Sequence, residues 1–347
     1  MSRNPPRGGG LLALTMAIVA IAATLVPLPA DVVERYFSQG VYPPLQRTVT
    51  GVSNLSPIAI ADLVVATLLG VLFARFVRGW RTQGMKKALV GSVVTVVALA
   101  AIGQLVFLAV WGLHYRRLPL EQKLDFDQSR ITEANAFALS EESVRRVNLL
   151  YGPAHATPFD MLAVASAFAE AERAMGMPGT TRIGRPKRSL LELYVEKAAF
   201  SGVVEPVFLE IVLHPDLLPV QKPRVLAHEW AHLAGFADES EASFLAWLAC
   251  LRGDPLAQYS GWLSTFALAR VALPPRLAAT LPRLDPGPRH DLQAIAAVYR
   301  GSSPLVSQAA RRTYDSYLKA NRVSEGMASY DAVLKLMLGT TLGSSWR

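Results

Sequence analysis

Three long apolar stretches lie near the start of the chain. After them, apolar and polar residues recur mainly with the period of an α-helix. The stretches cover residues 11–30, 57–76 and 88–113. Each is about as long as a helix must be to cross the hydrocarbon core of a bilayer. A cleaved signal peptide is the alternative for the first stretch, but residues 28–30 make a poor cleavage site and two more spans follow. We therefore predict three transmembrane helices within residues 1–113.

The rest of the chain, residues 114–347, has mainly helical periodicity and is long enough for one domain with its own core. Residues 204–213 are rich in β-branched and aromatic types and predict a strand. The fold class we expect is mainly α, with three N-terminal spans and an α-rich domain that contains a short strand element. Ser140 could begin a new helix within the first predicted helix of this region. A Pro-rich connector is expected over residues 274–288. The predicted helices cover residues 132–151, 158–175, 189–199, 256–273, 291–300, 307–321 and 330–338.

Charge predicts how the spans are oriented. The segment 75–87 carries five basic side chains and no acidic one, and the N-terminus carries two more basic residues. The positive-inside rule assigns both to the cytoplasm, so the loop between the first two spans and everything after residue 113 should lie outside. Trp111 and Tyr115 are expected at the membrane interface, where aromatic rings accumulate.

The same count argues against nucleic acid as a partner. The net charge is +8, but residues 1–113 hold nine basic and three acidic side chains and so supply +6 of it. The remaining residues are almost neutral. The basic character therefore reflects membrane topology, and the lipid bilayer is the expected partner.

Residues 228–232 spell His-Glu-Trp-Ala-His, an H-E-x-x-H pattern in a chain with only six histidines. On a helix, positions i and i+4 share a face, so His228 and His232 can reach one metal ion. Glu229 can then act as the general base toward a water molecule activated by that ion. The alternative is a helix turn with two unrelated imidazoles. The pattern predicts Zn²⁺ as cofactor and a hydrolytic reaction.

A catalytic zinc site needs a third protein ligand, and three acids follow the motif closely. Glu239 begins a Glu-Ser-Glu-Ala-Ser run, which resembles the helix that supplies this ligand in several membrane-linked gluzincin peptidases. We favour Glu239, then Glu241, and expect Asp238 to cap the helix. Gly235 is expected to end the motif helix.

Two further residues invite a chemical role. Tyr259 is a candidate to donate a hydrogen bond to the oxyanion of a tetrahedral intermediate, although such a tyrosine is more often packed with its hydroxyl satisfied. The single cysteine, Cys250, lies in an apolar helical run and is expected to be a buried thiol.

The chain resembles a bacterial family, domain of unknown function 3810, over nearly its whole length. The resemblance rests on Val33-Glu34-Arg35-Tyr36, Gly40-Val41-Tyr42-Pro43, the run from Trp111 to Leu120, Ser201-Gly202, the block from His228 to Cys250, Tyr259-Ser260-Gly261, Tyr317-Leu318-Lys319, Glu325-Gly326 and Ser329-Tyr330. It implies a membrane-anchored, zinc-dependent peptidase of zincin type without an assigned substrate. Taken with the charge pattern, we expect this enzyme in the bacterial inner membrane, with its catalytic domain outside the cytoplasm and an unknown peptide or protein as substrate. His114 and Ser243 stand where the family pattern leads us to expect Asn.

Two other classes of function stay open. One is a non-catalytic membrane scaffold whose metal braces two helices. The other is a transporter component, suggested only by Asp62 within a span. Three spans without paired acids or mid-membrane helix breaks argue against transport.

In zincin-like peptidases a strand before the H-E-x-x-H helix binds extended substrate, and an ordinary core strand is the alternative for residues 204–213.

Overall fold

The computed structural model describes residues 8–320 and 332–343, and within them the chain is mainly helical with one two-stranded sheet. The helices are α1 (Gly8–Leu25), α2 (Ala30–Val32), α3 (Tyr42–Ser53), α4 (Ile60–Gln83), α5 (Met85–Val110), α6 (Glu133–Ala156), α7 (Met161–Ala174), α8 (Leu191–Ala198), α9 (Lys222–Leu233), α10 (Glu239–Arg252), α11 (Pro255–Ala272), α12 (Pro275–Ala278), α13 (Pro286–Val298), α14 (Pro304–Ala320) and α15 (Ala332–Gly339). The strands are β1 (Gly202–Glu205) and β2 (Glu210–Leu213). The predicted mainly helical class is confirmed.

Two helices, α4 and α5, are long and apolar enough to cross a membrane. A third span is present if α1 and the helical segment after it, which are bent by 102°, count as one. Only Gly84 separates α4 from α5, and its positive φ of 83° allows the reversal. The basic segment 75–87 is therefore the tip of a helical hairpin, because both helices continue beyond the predicted spans into charged residues.

The segment between α1 and α4 is helical, where the sequence predicted a loop. A π-helical stretch, Val33–Val41, leads into α3. One face of this segment is buried against the part of the chain that follows α5. Tyr42 donates to the carbonyl of Leu233 at 2.8 Å, and Gln46 bonds both backbone groups of Arg182. Long-range contacts of this kind leave no periodic apolar signal, which is why the pattern missed them.

The core of the part of the chain that follows α5 is built around α10, whose residues from Glu239 to Cys250 are all buried. Helices α7, α9, α11 and α15 pack around it. Trp230 and Trp247 are among the largest fully buried side chains. A helix buried on every side belongs at the centre of a domain. Cys250 is buried as predicted, and burial raises its pKa to about 12.

The predicted strand over residues 204–213 is wrong in extent, because the structure forms an antiparallel hairpin there. Gly202 pairs with Leu213, and Glu205 pairs with Glu210. The Glu205 carboxylate accepts hydrogen bonds from the amides of Val207 and Phe208, at 3.0 and 2.6 Å. These bonds satisfy the backbone amides of the turn between β1 and β2.

Other predicted bounds differ by small amounts. Helix α6 is continuous through Ser140, whose hydroxyl donates to the carbonyl of Ala136 instead of starting a new helix. The predicted Pro-rich connector contains α12 and the start of α13. Of the predicted terminal helices and the motif residues there, Asn321, Glu325, Gly326, Ser329 and Tyr330 lie outside the described residues.

Candidate metal centre

Helix α9 carries the H-E-x-x-H residues and ends immediately after them. The amide of Gly235 donates to the carbonyl of His232 at 2.9 Å, and the amide of Phe236 donates to Ala231 at 3.1 Å. These two bonds define a Schellman ending, which needs a residue with positive φ, and Gly235 has φ 88°. The predicted role of Gly235 is therefore confirmed, and the chain turns back toward the histidines.

Asp238 then begins the next helix. Its side chain accepts hydrogen bonds from the amides of Ser240 and Glu241, at 2.8 and 3.2 Å. This is the N-cap position expected for Asp238. The capped start of α10 directs Glu239 toward α9.

Three side chains converge on one point. The Nε2 atoms of His228 and His232 lie 3.1 Å apart, and Glu239 places Oε2 3.1 Å from His228 and Oε1 3.6 Å from His232. One ligand atom from each of these three residues can be chosen so that all three atoms lie within 4.8 Å of one another. A tetrahedral zinc ion with ligands at about 2.0–2.1 Å would hold them about 3.3 Å apart. The observed distances bracket that value, so the donor set fits such an ion.

The second nitrogen of each histidine also has a partner. His232 Nδ1 lies 2.7 Å from the carbonyl oxygen of Phe236, so it acts as the donor and leaves Nε2 free to be a ligand. His228 Nδ1 lies 3.3 Å from the hydroxyl of Ser243. Ser243, the position where the family pattern suggested Asn, thus contacts the first histidine.

Glu229 is buried beside the cluster, with 3% of its surface exposed. The backbone of β1 lies directly against it: a Cβ atom at Gly202 would come within 2.6 Å of Glu229 Oε1. Only glycine allows this approach without displacement. Gly202 belongs to a sequence motif, but nothing local in the sequence links it with Glu229, because the two residues are far apart along the chain.

Burial and mutual charge shift the pKa values of the cluster. Burial raises the pKa of Glu229 to about 7, and the Glu239 charge adds to this rise. Burial lowers the pKa of His228 to about 4. Burial would also lower the pKa of His232, but the carboxylates of Glu239 and Glu229 outweigh it and raise that pKa to about 9. The pKa of Glu239 lies well below its usual range despite burial, because the two histidines stabilise its charge. The cluster therefore stabilises the charged form of the Glu239 carboxylate beside the positive charge of His232.

The remaining predicted site residues are directed elsewhere. Glu241 Oε1 accepts a hydrogen bond from the amide of Leu120 at 2.6 Å, so it fastens the chain that follows α5. Tyr259 donates to Asp291 Oδ2 at 2.6 Å, and His155 Nε2 lies 2.9 Å from the same oxygen. Of the candidates that the sequence left open, the structure brings only Glu239 to the two histidines.

Two aromatic residues near the end of α5 also support α9. Trp111 is buried within the protein, and its indole donates to the carbonyl of His232 at 3.2 Å. The ring of His114 packs so closely on Gly235 that a Cβ atom there would come within 2.6 Å of it. Their positions depend on the packing of α5 against α9, which an apolar stretch alone does not reveal.

A family model described as Protein of unknown function (DUF3810) matches residues 37–338, which include α4, α5 and the whole candidate metal centre. The chain belongs to this family. The match confirms the resemblance identified from the sequence motifs, and the DUF3810 description assigns no activity. No curated protein and no solved structure matches the chain.

Proposed function

We propose that this DUF3810 member is a membrane-anchored zinc metallopeptidase with a zincin-like outer domain. The observation that carries the proposal is the convergence of His228, His232 and Glu239 beside the buried Glu229. Two imidazoles and one carboxylate form a three-ligand set that leaves a zinc ion a position for water. Bound zinc would supply a Lewis acid that polarises a peptide carbonyl and lowers the pKa of water.

The chain's own residues supply the proton transfers. Glu229 would accept a proton from water at a carboxylate oxygen and return it to the leaving amine. Burial raises the pKa of Glu229 above its usual range, and a general base works best when its pKa is close to the working pH. The contact of Gly202 with Glu229 Oε1 would hold that carboxylate in place.

The short hairpin supports the zincin-like assignment. Strand β1 passes against Glu229, so an extended peptide paired with this strand would lie beside the reacting groups. His228 is the most exposed member of the cluster, with 14% of its side chain accessible against 4% for Glu239. Substrate would therefore approach from the side of His228.

The proposed location is the bacterial inner membrane, with the outer domain outside the cytoplasm. The amides of Ile60 and Ala61, at the start of α4, donate to Glu210 in β2. This end of the helical hairpin formed by α4 and α5 therefore joins the outer domain. The basic tip at residues 75–87 lies at the other end of the two spans. The positive-inside rule would keep that tip in the cytoplasm. Membrane lipid and a peptide are the proposed partners, and nucleic acid is not.

Metal analysis and peptide hydrolysis test the proposal together. Purified full-length wild type should contain about one zinc ion, His228→Ala should lose it, and the exposed His290→Ala should keep it. Glu229→Gln should keep the metal but lose about 10²–10⁴-fold of its activity on a quenched fluorescent peptide library. Glu170→Gln is the matched control, because Glu170 is an exposed acid on α7.

Two outcomes would overturn this proposal. Unchanged hydrolysis by Glu229→Gln would rule out the general base, and equal zinc content in His228→Ala and wild type would rule out the site. Zinc that is present but supports no cleavage of any peptide would favour the alternative, a scaffold with a structural metal site.

A further inference from the structure

A separate cavity of about 540 Å³ lies behind the last turn of α9. Its walls come from the π-helical stretch, from α3, from the chain after α5, and from the end of α7 with the loop that follows. Buried side chains such as Tyr42 and Leu233 line its inner part, while Gln39, Pro178 and Thr180 at its rim are exposed. The volume falls within the range of small-molecule sites, about 300–1,000 Å³. None of the proposed zinc ligands lines it.

One wall carries a carboxyl group that is only half satisfied. Glu172 has 1% of its surface exposed, and its Oε1 accepts a hydrogen bond from the Thr181 hydroxyl. Its Oε2 is buried with no hydrogen-bond partner among the described residues. Buried polar atoms are almost always paired, so an orphan oxygen in a cavity wall indicates a missing partner. Burial raises the pKa of Glu172, although the Thr181 bonds and the charge of Arg173 oppose the rise.

The other charged groups of the cavity are already committed. Arg117 bonds both carboxylate oxygens of Glu34 at 2.9 Å, and its third nitrogen donates to the carbonyl of Gly235 at 2.7 Å. Lys123 also contacts Glu34, at 3.2 Å. No ion pair reaches Glu172 among the residues that the structure describes. Among the described residues, therefore, none of these charged groups supplies a donor to Glu172 Oε2.

Apolar side chains also line the cavity. Met175, Met177 and Phe236 line it and pack on the hydrophobic core. Flexible thioether side chains adapt to apolar ligands of irregular shape. We propose that the cavity binds a small amphiphilic primary amine, with its ammonium group on Glu172 Oε2 and its hydrocarbon part against these three side chains. An ammonium group supplies both the missing hydrogen bond and the charge that a buried carboxylate requires.

Calorimetric titration of the full-length chain in lipid nanodiscs with n-hexylamine tests this proposal at pH 7. Wild type should bind the amine, and Glu172→Gln should weaken binding about tenfold or more, because a charged hydrogen bond is lost while the Thr181 contact is kept. Glu170→Gln removes the same charge outside the cavity and should bind like wild type. Comparing the variants in identical nanodiscs cancels partitioning of the amine into lipid.

A second variant and a second probe keep the test decisive. Met177→Trp should weaken binding by filling the cavity while leaving Glu172 intact. The uncharged n-hexanol should bind more weakly, and equally to wild type and Glu172→Gln. The proposal is overturned if wild type does not bind hexylamine, or if Glu172→Gln binds it as tightly as wild type does. Because binding is the readout, none of these results depends on the proposed peptidase activity.

Discussion

Replacing Glu34 with Gln should destabilise the fold, because it breaks the ion pair that joins the segment before α4 to the segment after α5. Glu34 precedes α4 and Arg117 follows α5, and their side chains are only 6% and 7% exposed. They form two bonds of 2.9 Å, and Arg117 also holds the carbonyl of Gly235 at the end of α9. The glutamine would keep the shape but leave the Arg117 charge buried without its counterion.

The pKa of Glu34 sets the size of this effect. Burial alone would raise that pKa, but Arg117 and Lys123 lower it from 4.5 to about 2. Each pKa unit corresponds to about 1.4 kcal/mol, so the ion pair contributes about 3 kcal/mol at neutral pH. This agrees with the roughly 3–5 kcal/mol measured when one partner of a buried pair is removed. A carboxyl with a depressed pKa stabilises above its unfolded-state pKa, and that stabilisation is lost as the pH falls toward 2.

Urea unfolding in mild detergent, followed by tryptophan fluorescence, measures the difference. Wild type should exceed Glu34→Gln by about 3 kcal/mol at pH 7 and by only about 1 kcal/mol at pH 3. Glu133→Gln is the control, because its ion pair with Arg276 is 3.1 Å long but 61% and 75% exposed. That pair should contribute less than about 1 kcal/mol. Equal losses for the two variants, or a loss from Glu34→Gln that does not change between pH 7 and pH 3, would refute this reasoning.

Two smaller changes test the surroundings of the candidate metal centre. Gly202→Ala should cost about 1–3 kcal/mol of stability and also lower the proposed peptidase activity, because the new methyl group displaces Glu229. Gly253→Ala has a similar 2.6 Å clash, against Ala257, and should lower stability alone. Equal activities in the two variants would contradict this expectation. Ser243→Ala should weaken zinc binding about tenfold in a chelator competition, since it removes the hydroxyl 3.3 Å from His228 Nδ1. Unchanged zinc affinity would mean that this contact does not support the ligand.

Features that depend on neighbouring residues were predictable from the sequence. The length of the apolar stretches indicated helices α4 and α5, and the helical period placed His228 and His232 on one face. The ending at Gly235 and the cap at Asp238 followed from the conformations that these residue types favour. The family motifs were also visible, and the family match confirms them.

The hairpin at residues 202–213 shows where local reasoning stops. The β-branched residues there are equally compatible with one long strand or two short ones. The choice depended on the carboxylate of Glu205 satisfying the turn amides, and on β2 pairing back onto β1. Composition contains no information about such bonds.

The arrangement of the candidate metal centre was likewise decided by tertiary structure. Sequence alone determined a mainly helical protein with apolar helices long enough for a membrane and a two-histidine motif on one helix face. Which acid meets that motif depended on how α10 packs against α9, and this packing directs Glu239 to the histidines and Glu241 to Leu120. The contact between Glu229 and Gly202 and the cavity beside Glu172 also join segments that are distant along the chain. A helical period specifies which face a residue occupies, but only packing between elements specifies what that face meets.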